Sequence, residues 1–369
     1  MSMPSNRGLS TTEVPQLGGL AILIGVVVAA AIWLPATIKL APTPHGRPGA
    51  AGVVHTWWIL AGALLIALVG AVDDVKNLKP LPKLIGQIAA AVVAVEGGAV
   101  INDLTIPFVG PMQFPHGGGT LTVLWLVAMM NIVNFSDGVD GLAAGVCTID
   151  GIAFAIIAFD LQGGHSNAAV LAALTAGGAL GFLVHNFPPA KIFMGDIGAN
   201  LLGYLLGLAA VVGSLKTGAV LALAVPLLIL AVPLLDTGFV VAKRLKYGRK
   251  PWEADDWHFH HRFRNLGFSQ RRTILYLYGW SAVMAGAAVL MRIVTHDHPH
   301  QFWWIFLLCL LLALALAASV YLVWVLEILK FKGLRAIQLR SQDPDTTEHE
   351  IIVTVERDIE TGEFDKVRK

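Results

Sequence analysis

Charged side chains are scarce in this sequence. Of its 369 residues, 14% are Asp, Glu, Lys or Arg and 56% are hydrophobic, and the mean hydropathy is +0.68. A soluble domain of ordinary composition carries about 25% charged residues. This deficit argues against a soluble protein and indicates a chain that has a lipid bilayer as its solvent.

Cysteine is also nearly absent. Cys147 and Cys309 are the two cysteines, and both lie inside apolar runs, so neither a disulfide framework nor a zinc site is predicted. The net charge of +1 gives no reason to expect a nucleic-acid partner. The first sixteen residues are polar and lead into an ordinary spanning pattern, so no cleavable signal peptide is predicted.

Long apolar runs are abundant. A membrane-spanning helix needs about 20 mostly apolar residues, and ten runs approach that length. They are Leu17–Leu34, Thr56–Val72, Leu84–Val100, Leu121–Asn134, Leu142–Phe159, Asn167–Val184, Ala199–Val212, Gly218–Val241, Thr273–Val294 and Phe302–Leu329. The predicted fold class is therefore all-α, a polytopic bundle of about ten spans. A cytoplasmic segment (1–16) precedes the transmembrane domain (17–329), and a cytoplasmic tail (330–369) follows it.

The basic residues predict the orientation of these spans. Cytoplasmic loops carry an excess of Lys and Arg, and the even-numbered connections between spans hold most of them, from Lys76 to Arg272. The odd-numbered connections hold little beyond Lys39, Arg47, Lys216 and Arg292. The even-numbered loops and both termini are therefore predicted to be cytoplasmic.

Four polar segments follow the same parity. Residues 70–74, 131–141, 185–198 and 252–264 come after the second, fourth, sixth and eighth spans. An acid at the bilayer centre costs about 2.5–3.5 kcal/mol on insertion scales, and acids at helix ends avoid most of that cost. The parity predicts a site at the cytoplasmic membrane surface, where a water-soluble and a lipidic substrate can meet.

The residue types in these segments suit phosphoryl transfer. Clustered carboxylates without cysteine favour Mg²⁺, with Mn²⁺ as an alternative, and Lys, Arg and His neutralise phosphate oxygens. Glycines beside the acids allow backbone N–H groups to approach an anion closely; they are Gly138, Gly141, Gly195 and Gly198. Catalysis of such transfers is mostly positioning and charge neutralisation.

Each segment also has a simpler explanation. Asp73 and Asp74 could be a solvated helix end, Asp137 and Asp140 could be N-caps, residues 195–198 a turn, and residues 258–262 an interfacial cluster. A transporter would place polar groups near the midplane, often in repeated halves, and no repeat is found. A structural scaffold would not explain why all four segments fall on one side.

Together the four segments resemble those of the polyprenyl-phosphate N-acetylhexosamine-1-phosphate transferases of glycosyltransferase family 4. The matching strings, in the order of that family, are Val72-Asp-Asp74, Asn134-Phe-Ser-Asp-Gly-Val-Asp-Gly141, Phe193-Met-Gly-Asp-Ile-Gly198 and His258-Phe-His-His-Arg262. The resemblance covers about Pro15 to Trp324. It implies a bacterial inner-membrane enzyme that moves a sugar 1-phosphate from a UDP-sugar to undecaprenyl phosphate and releases UMP.

The resemblance also implies a role for each matching residue. Asp196 would ligate Mg²⁺, Asp73 would be the base that deprotonates or orients the lipid phosphate, and Asp74 would support it or share the metal. The substrate-binding residues would be Lys83 at phosphate, Asp140 at uracil with Phe193 stacked on it, Asn186 lining the pocket, and Asn134, Asp137 and Gly138 nearby. His258, His260, His261 and Arg262 would hold the diphosphate. A homodimer is compatible with the resemblance.

Details of the strings indicate the branch of the family. His-Phe-His-His-Arg at 258–262 resembles the N-acetylglucosaminyl-1-phosphate branch, whereas three consecutive histidines followed by Phe-Glu mark phospho-N-acetylmuramoyl-pentapeptide transferases, which are the alternative. Family members usually begin with a further helix before the motif that resembles Pro15-Gln-Leu-Gly-Gly19, which would give eleven spans. In the tail, residues 350–356 read as a strand and 360–362 as a turn, which predicts a small hairpin.

Overall fold

A computed structural model describes most of the first 300 residues of the chain. The described residues are 15–16, 18–39, 53–101, 103–106, 110–114, 117–161, 167–214 and 269–297, with a few isolated positions elsewhere. The chain divides into two compact units: Met1–Gly238 with Ile274–Pro299, and Phe239–Thr273 with His300–Lys369. The helix packing described below lies within the first unit.

Helices dominate the described residues. They are α1 (Gly18–Trp33), α2 (Thr56–Lys76), α3 (Pro80–Glu96), α4 (Gly118–Ser136), α5 (Leu142–Leu161), α6 (Asn167–Asn186), α7 (Gly195–Ala209), which continues as a π-helical turn over Ala210–Ser214, and α8 (Gln270–Asp297). Each of the eight predicted spans in the described residues coincides with one of them. The predicted spans Gly218–Val241 and Phe302–Leu329 lie almost wholly outside the described residues, so the total of ten stays a prediction.

Six of these helices, α2 and α4 to α8, are long and apolar enough to cross a membrane. Helix α1 is apolar but shorter, with 16 residues, and α3 has 17. Large apolar side chains such as Ile24, Leu68 and Leu124 are exposed on the outside of the first unit. An outward apolar surface and a polar interior end are what a helical bundle in lipid requires, so the chain is a membrane protein.

The described residues are mostly helical, as predicted, and two small antiparallel sheets that the all-α prediction did not include accompany the helices. Strand β1 (Thr37–Lys39) pairs with β2 (Val53–His55), and β3 (Asp103–Ile106) pairs with β4 (Gly110–Gln113). Each strand has three or four residues. Strands this short leave almost no periodic signal in a sequence, and their pairing satisfies backbone groups between spans.

Helix α7 forms the core of the first unit. All residues from Ile197 to Ala209 are buried, and α7 packs against α1, α2, α4 and α6. Gly203 allows a close approach to α4, because a Cβ there would lie 2.6 Å from the backbone oxygen of Met129. Small residues at such crossings let membrane helices pack tightly.

The connections that carry the polar segments meet at one end of this bundle. There α2, α4 and α6 end, and α3, α5 and α7 begin, so that Lys83 on α3 contacts Asp73 on α2 and Asp196 on α7. The first three of the four polar segments are therefore on one side, as their parity predicted. That this side is cytoplasmic stays a prediction.

In the tail, the predicted strand over residues 350–356 does not fit the described positions. Residues 352–354 have helical backbone. The N–H and Oγ1 of Thr347 donate to Oε2 of Glu350 at 3.0 and 2.8 Å, and the Glu350 N–H donates back to Thr347 Oγ1 at 3.4 Å. This reciprocal pair is a capping box, which starts a helix, and it overrides the strand propensity of the β-branched residues that follow. The predicted division into residues 1–16, 17–329 and 330–369 stays a prediction.

Candidate active site

The ammonium group of Lys83 joins side chains from four helices. It forms ion pairs with Oδ2 of Asp73 at 3.0 Å and Oδ1 of Asp196 at 2.7 Å, and it donates to Oδ1 of Asn134 at 3.1 Å. Asn134 in turn donates through Nδ2 to Asp196 Oδ1. Charged side chains at a bundle interior usually pair with one another and mark functional positions. This group, Asp73, Lys83, Asn134 and Asp196, is called the lysine cluster below.

Asp73 has a second contact that the sequence did not predict. Its Oδ1 accepts a hydrogen bond from the N–H of Leu78 at 2.7 Å, across the turn that Asn77 makes with a positive φ of 48°. Asp73 is buried. One carboxylate oxygen therefore holds the connection between α2 and α3, while the other faces Lys83.

Asp74 contacts the first turn of α7. Its Oδ1 accepts from the backbone N–H of Asp196 at 2.7 Å, and its Oδ2 accepts from that of Ile197 at 3.3 Å. The first N–H groups of a helix lack partners within the helix, and a carboxylate there also interacts favourably with the helix dipole. Gly195 has a positive φ of 69°, and a Cβ there would lie 2.6 Å from Asp74 Oδ2. Asp74 therefore fixes the backbone that carries Asp196.

The N-terminal motif packs against the same end of α7. Phe193 donates its N–H to the carbonyl of Pro15 at 2.9 Å, and Gly18 and Gly19 donate to the carbonyls of Phe193 and Met194 at 3.1 and 2.9 Å. These three backbone hydrogen bonds tie the start of α1 to the segment that leads into α7. The resemblance of residues 15–19 to a family motif thus corresponds to a structural contact beside the lysine cluster.

Gly19→Ala is expected to destabilise the protein. A Cβ at Gly19 would collide with the backbone nitrogen of Gly198, and overpacking of this kind costs about 1–3 kcal/mol. Gly25→Ala on the same helix is the matched control, because nothing lies within 4 Å of a Cβ there. Thermal unfolding in detergent should show a lower melting temperature for Gly19→Ala alone. Equal melting temperatures for the two variants would contradict the close contact.

A second group of contacts joins the segment after α4 to the segment after α6. Asp140 Oδ2 accepts the N–H of Ala190 at 3.1 Å. Asn186 accepts the N–H of Gly141 through Oδ1 at 2.7 Å and donates through Nδ2 to the carbonyl of Ile192 at 2.9 Å. The structure therefore uses both ends of the Asn186 carboxamide, and one oxygen of Asp140, to hold these two loops together.

Asp137 differs from the other acids, because the described residues give its side chain no hydrogen bond and no ion pair. Desolvation raises its pKa well above the ordinary value, and the carboxylates of Asp196, Asp74 and Asp140 raise the pKa further. Its neighbour Gly138 is exposed. A cation that bound nearby would offset this repulsion and favour the ionised carboxylate.

The residues present fit a hard divalent cation that arrives with phosphate. Five carboxyl groups lie at this end of the bundle, and among the described residues Lys83 forms ion pairs with two of them, Asp73 and Asp196; the other three are Asp74, Asp137 and Asp140. No group of three or more His, Cys, Asp or Glu side chains in the described ranges could hold a metal by itself. Mg²⁺ typically takes one or two carboxylates plus substrate phosphates, which such a set can provide.

Several predicted residues have no structural position here. His258, His260, His261 and Arg262 lie outside the described residues. Their predicted contacts with a diphosphate therefore stay predictions.

Three carboxamide side chains beside the lysine cluster were not predicted as site residues. They are Gln87, Asn131 and Asn200, which form hydrogen bonds with one another. Their spacing of three or four residues from Lys83, Asn134 and Asp196 was the available signal, since such spacing puts two side chains on one helix face.

The chain is similar to one protein family and to several named proteins. Residues 56–214 match the profile described as Glycosyl transferase family 4. A "Probable undecaprenyl-phosphate N-acetylglucosaminyl 1-phosphate transferase" of Bacillus subtilis is 33% identical over 80% of this chain and 78% of its own length. A "Decaprenyl-phosphate N-acetylglucosaminephosphotransferase" of Mycolicibacterium smegmatis is 37% identical over 78% of this chain and 74% of its own. A "Phospho-N-acetylmuramoyl-pentapeptide-transferase" of Desulforamulus reducens is 36% identical over 72% and 78%.

The chain is a membrane protein that has a group of carboxylates and a lysine at one end of its helical bundle. The chain belongs to glycosyl transferase family 4. Within that family it is a phosphotransferase, one of the polyprenyl-phosphate N-acetylhexosamine-1-phosphate transferases. The family predicted from the four sequence strings is thereby confirmed.

Proposed function

We propose that this enzyme transfers N-acetylglucosamine 1-phosphate from UDP-N-acetylglucosamine to undecaprenyl phosphate, releases UMP and so starts a cell-envelope glycan. The observation that carries the proposal is the lysine cluster, in which Lys83 pairs with Asp73 and Asp196 at the end of the bundle. A cation held between two acids, one of them partly exposed, suits a reaction in which phosphates enter and leave. The proposal includes the transfer, its donor, its acceptor and a requirement for Mg²⁺.

The residues of the cluster divide the work of the transfer. Lys83 neutralises charge on the phosphates, and Asp73 orients or deprotonates the lipid phosphate, whose oxygen attacks the sugar-proximal phosphorus. Asp196, with Asp137 near it, would hold Mg²⁺, which when bound neutralises the diphosphate and the departing UMP. In a second version of this mechanism Asp73 attacks first, and trapping of a phosphorylated Asp73 would identify that route.

The nucleotide end of the donor is proposed to lie between the two clamped loops. Asp140 uses Oδ2 for the Ala190 N–H, which leaves Oδ1 for the uracil. Phe193, which is partly exposed, offers a flat apolar face for the base. His258, His260, His261 and Arg262 complete the proposal as ligands of the diphosphate.

Two observations support N-acetylglucosamine as the sugar. The relatives from Bacillus and Mycolicibacterium carry it in their names, and the string at 258–262 resembles that branch. The relative from Desulforamulus keeps phospho-N-acetylmuramoyl-pentapeptide transfer as the second candidate. The Mycolicibacterium name also makes decaprenyl phosphate an acceptor to test.

The test is a substrate panel. Purified enzyme is incubated with Mg²⁺, each polyprenyl phosphate and a series of UDP-sugars that includes UDP-N-acetylmuramoyl-pentapeptide, and UMP is measured. UMP release with UDP-N-acetylglucosamine is expected. Release with the pentapeptide donor alone would support the second candidate. Accumulation of a solute in vesicles without release of UMP would support a transporter and overturn the proposal.

The active site is proposed to face the cytoplasm of a bacterial inner membrane, and cysteine labelling tests this. Lys79, at the site end, and Val53, on β2 at the opposite end, are both exposed. In a background without Cys147 and Cys309, an impermeant maleimide should label Lys79→Cys only in inside-out vesicles. Val53→Cys, the matched control, should be labelled only in right-side-out vesicles. The reverse pattern would place the site on the outer face.

A further inference from the structure

A chain of three carboxamides runs through the bundle beside the lysine cluster. Asn131 on α4 donates through Nδ2 to Gln87 Oε1 at 2.8 Å, and Gln87 on α3 donates through Nε2 to Asn200 Oδ1 at 2.8 Å. Asn200 on α7 then donates through Nδ2 to the carbonyl oxygen of Asp196 at 2.8 Å. Gln87 and Asn200 are each 1% exposed. The chain thus links three helices and ends on the backbone of a lysine-cluster residue.

Each carboxamide lies one helical turn from a member of the lysine cluster. Gln87 follows Lys83 by four residues, Asn200 follows Asp196 by four, and Asn131 precedes Asn134 by three. Side chains at these spacings lie on the same face of a helix. Because α3 and α7 begin at the site end and α4 ends there, all three carboxamides lie one turn deeper in the bundle than the cluster.

The directions of these hydrogen bonds fix the relative positions of the three helices. A carboxamide offers a donor and an acceptor on one rigid group, and Gln87 uses both at once. A sliding or rotation of α3 against α4 or α7 would break at least one bond and leave a buried polar atom without a partner, which is unfavourable where water is excluded. The chain therefore opposes changes in the relative register of the three helices.

We propose that Gln87, Asn131 and Asn200 are positioning residues for the transfer, which hold Lys83, Asn134 and Asp196 at contact distance. They act through those three residues and touch no reacting group. The inference rests on the function proposed above because its main measurement is UMP release. It adds that the contact distances within the lysine cluster depend on hydrogen bonds one helical turn deeper in the bundle.

The first test replaces Gln87 by Leu, which has a similar volume and no hydrogen-bonding group. The expected result is a loss in kcat of about 10–100-fold, since small misplacements of catalytic groups have effects of that order. KM for the UDP-sugar should change by less than about twofold, because the groups that bind the nucleotide are not altered. All rates are measured per folded protein, with the folded amount taken from size-exclusion chromatography.

The matched control is Thr122→Val on α4, at the opposite end of the bundle. Thr122 is also buried, accepts the N–H of Ile101 and donates to the carbonyl of Gly118, both at 2.8 Å. Its replacement should lower the melting temperature and leave kcat per folded protein unchanged. A loss of kcat for Gln87→Leu no larger than that for Thr122→Val would overturn the proposal and leave a merely structural role.

A double substitution tests whether Gln87 acts through Lys83. In a Lys83→Met background, Gln87→Leu should lower kcat by a smaller factor than it does in the wild-type enzyme, because one of the groups that it positions is gone. Two full and independent losses would contradict the proposal. Asn200→Ser should retain more activity than Asn200→Leu, since a serine hydroxyl can donate to the carbonyl four residues earlier, here that of Asp196.

Failure of the function and failure of this inference give different results. A wild-type enzyme that releases no UMP with any donor would overturn the proposed function. Thermal unfolding of Gln87→Leu, of Asn200→Leu and of the variant with both substitutions then tests the carboxamide hydrogen bonds without substrate. The losses of melting temperature for Gln87→Leu and Asn200→Leu are expected to be non-additive, because the two side chains contact each other. Those for Gln87→Leu and Thr122→Val should add, since these residues are far apart. Additive losses for Gln87→Leu and Asn200→Leu would overturn the inference.

Discussion

Replacing Asp196 by Asn is expected to lower kcat for UMP release by about 10²–10³-fold, the usual effect of removing one electrostatic group from a catalytic site. Asp196 Oδ1 faces Lys83 Nζ at 2.7 Å and also accepts from Asn134. The neutral carboxamide has nearly the same shape but loses the charge that pairs with Lys83 and that would hold Mg²⁺. Turnover should therefore fall without a comparable loss of folded protein.

Steady-state UMP release at increasing Mg²⁺ concentrations measures this effect. Glu96→Gln is the matched control, because Glu96 is an exposed acid at the far end of α3, and its replacement should leave both kcat and the Mg²⁺ dependence unchanged. An Asp196→Asn enzyme with normal turnover and normal Mg²⁺ dependence would remove Asp196 from the metal site.

Replacing Lys83 by Met is expected to impair both catalysis and stability. Loss of the ammonium group removes the cation that neutralises phosphate, so kcat should again fall by about 10²–10³-fold. It also leaves Asp73 and Asp196 without their shared cation, and breaking a buried ion pair by removing one partner typically destabilises by about 3–5 kcal/mol. The exposed fraction of the Lys83 side chain, 18%, places the expected loss of stability at the lower end of that range.

The two effects of Lys83→Met can be separated with a second substitution. In Lys83→Met with Asp73→Asn, one of the unpaired charges is gone, so part of the melting temperature should return while UMP release stays low. Lys83→Arg should recover stability better than activity, because the planar guanidinium cannot reproduce the contacts of a compact ammonium with three oxygens. If Lys83→Met kept normal turnover and a normal melting temperature, the cluster would have neither role.

The sequence predicted the helices and their polarity well because both depend on short stretches of chain. The length and composition of the apolar runs at residues 56–72 and 142–159 predict membrane spans, and the structure has a helix at each. Parity then placed Asp73, Asn134 and Asp196 at one end, where they contact Lys83. The resemblance to a family came from four short strings, and the relatives confirm it.

The sequence predicted less well where a contact joins distant residues or where a segment is very short. The two small sheets have strands of three or four residues, too short for a periodic signal. A capping box at Thr347 and Glu350 outweighed a run of β-branched residues in the tail. The role of Asp74 at the backbone of α7 spans 122 positions in the sequence, so no local pattern could indicate it.

The sequence by itself determined that the chain lies in a membrane, that the acids of its first three polar segments share one end of the bundle, and to which family it belongs. These properties follow from the hydrophobicity of segments and from strings of a few residues, which do not depend on the rest of the fold. Only the tertiary structure decided which oxygen of each acid faces a cation, a helix end or a neighbouring loop. That division of contacts depends on the packing of α2, α3, α4 and α7, where angstrom differences between distant backbones decide which polar atoms pair.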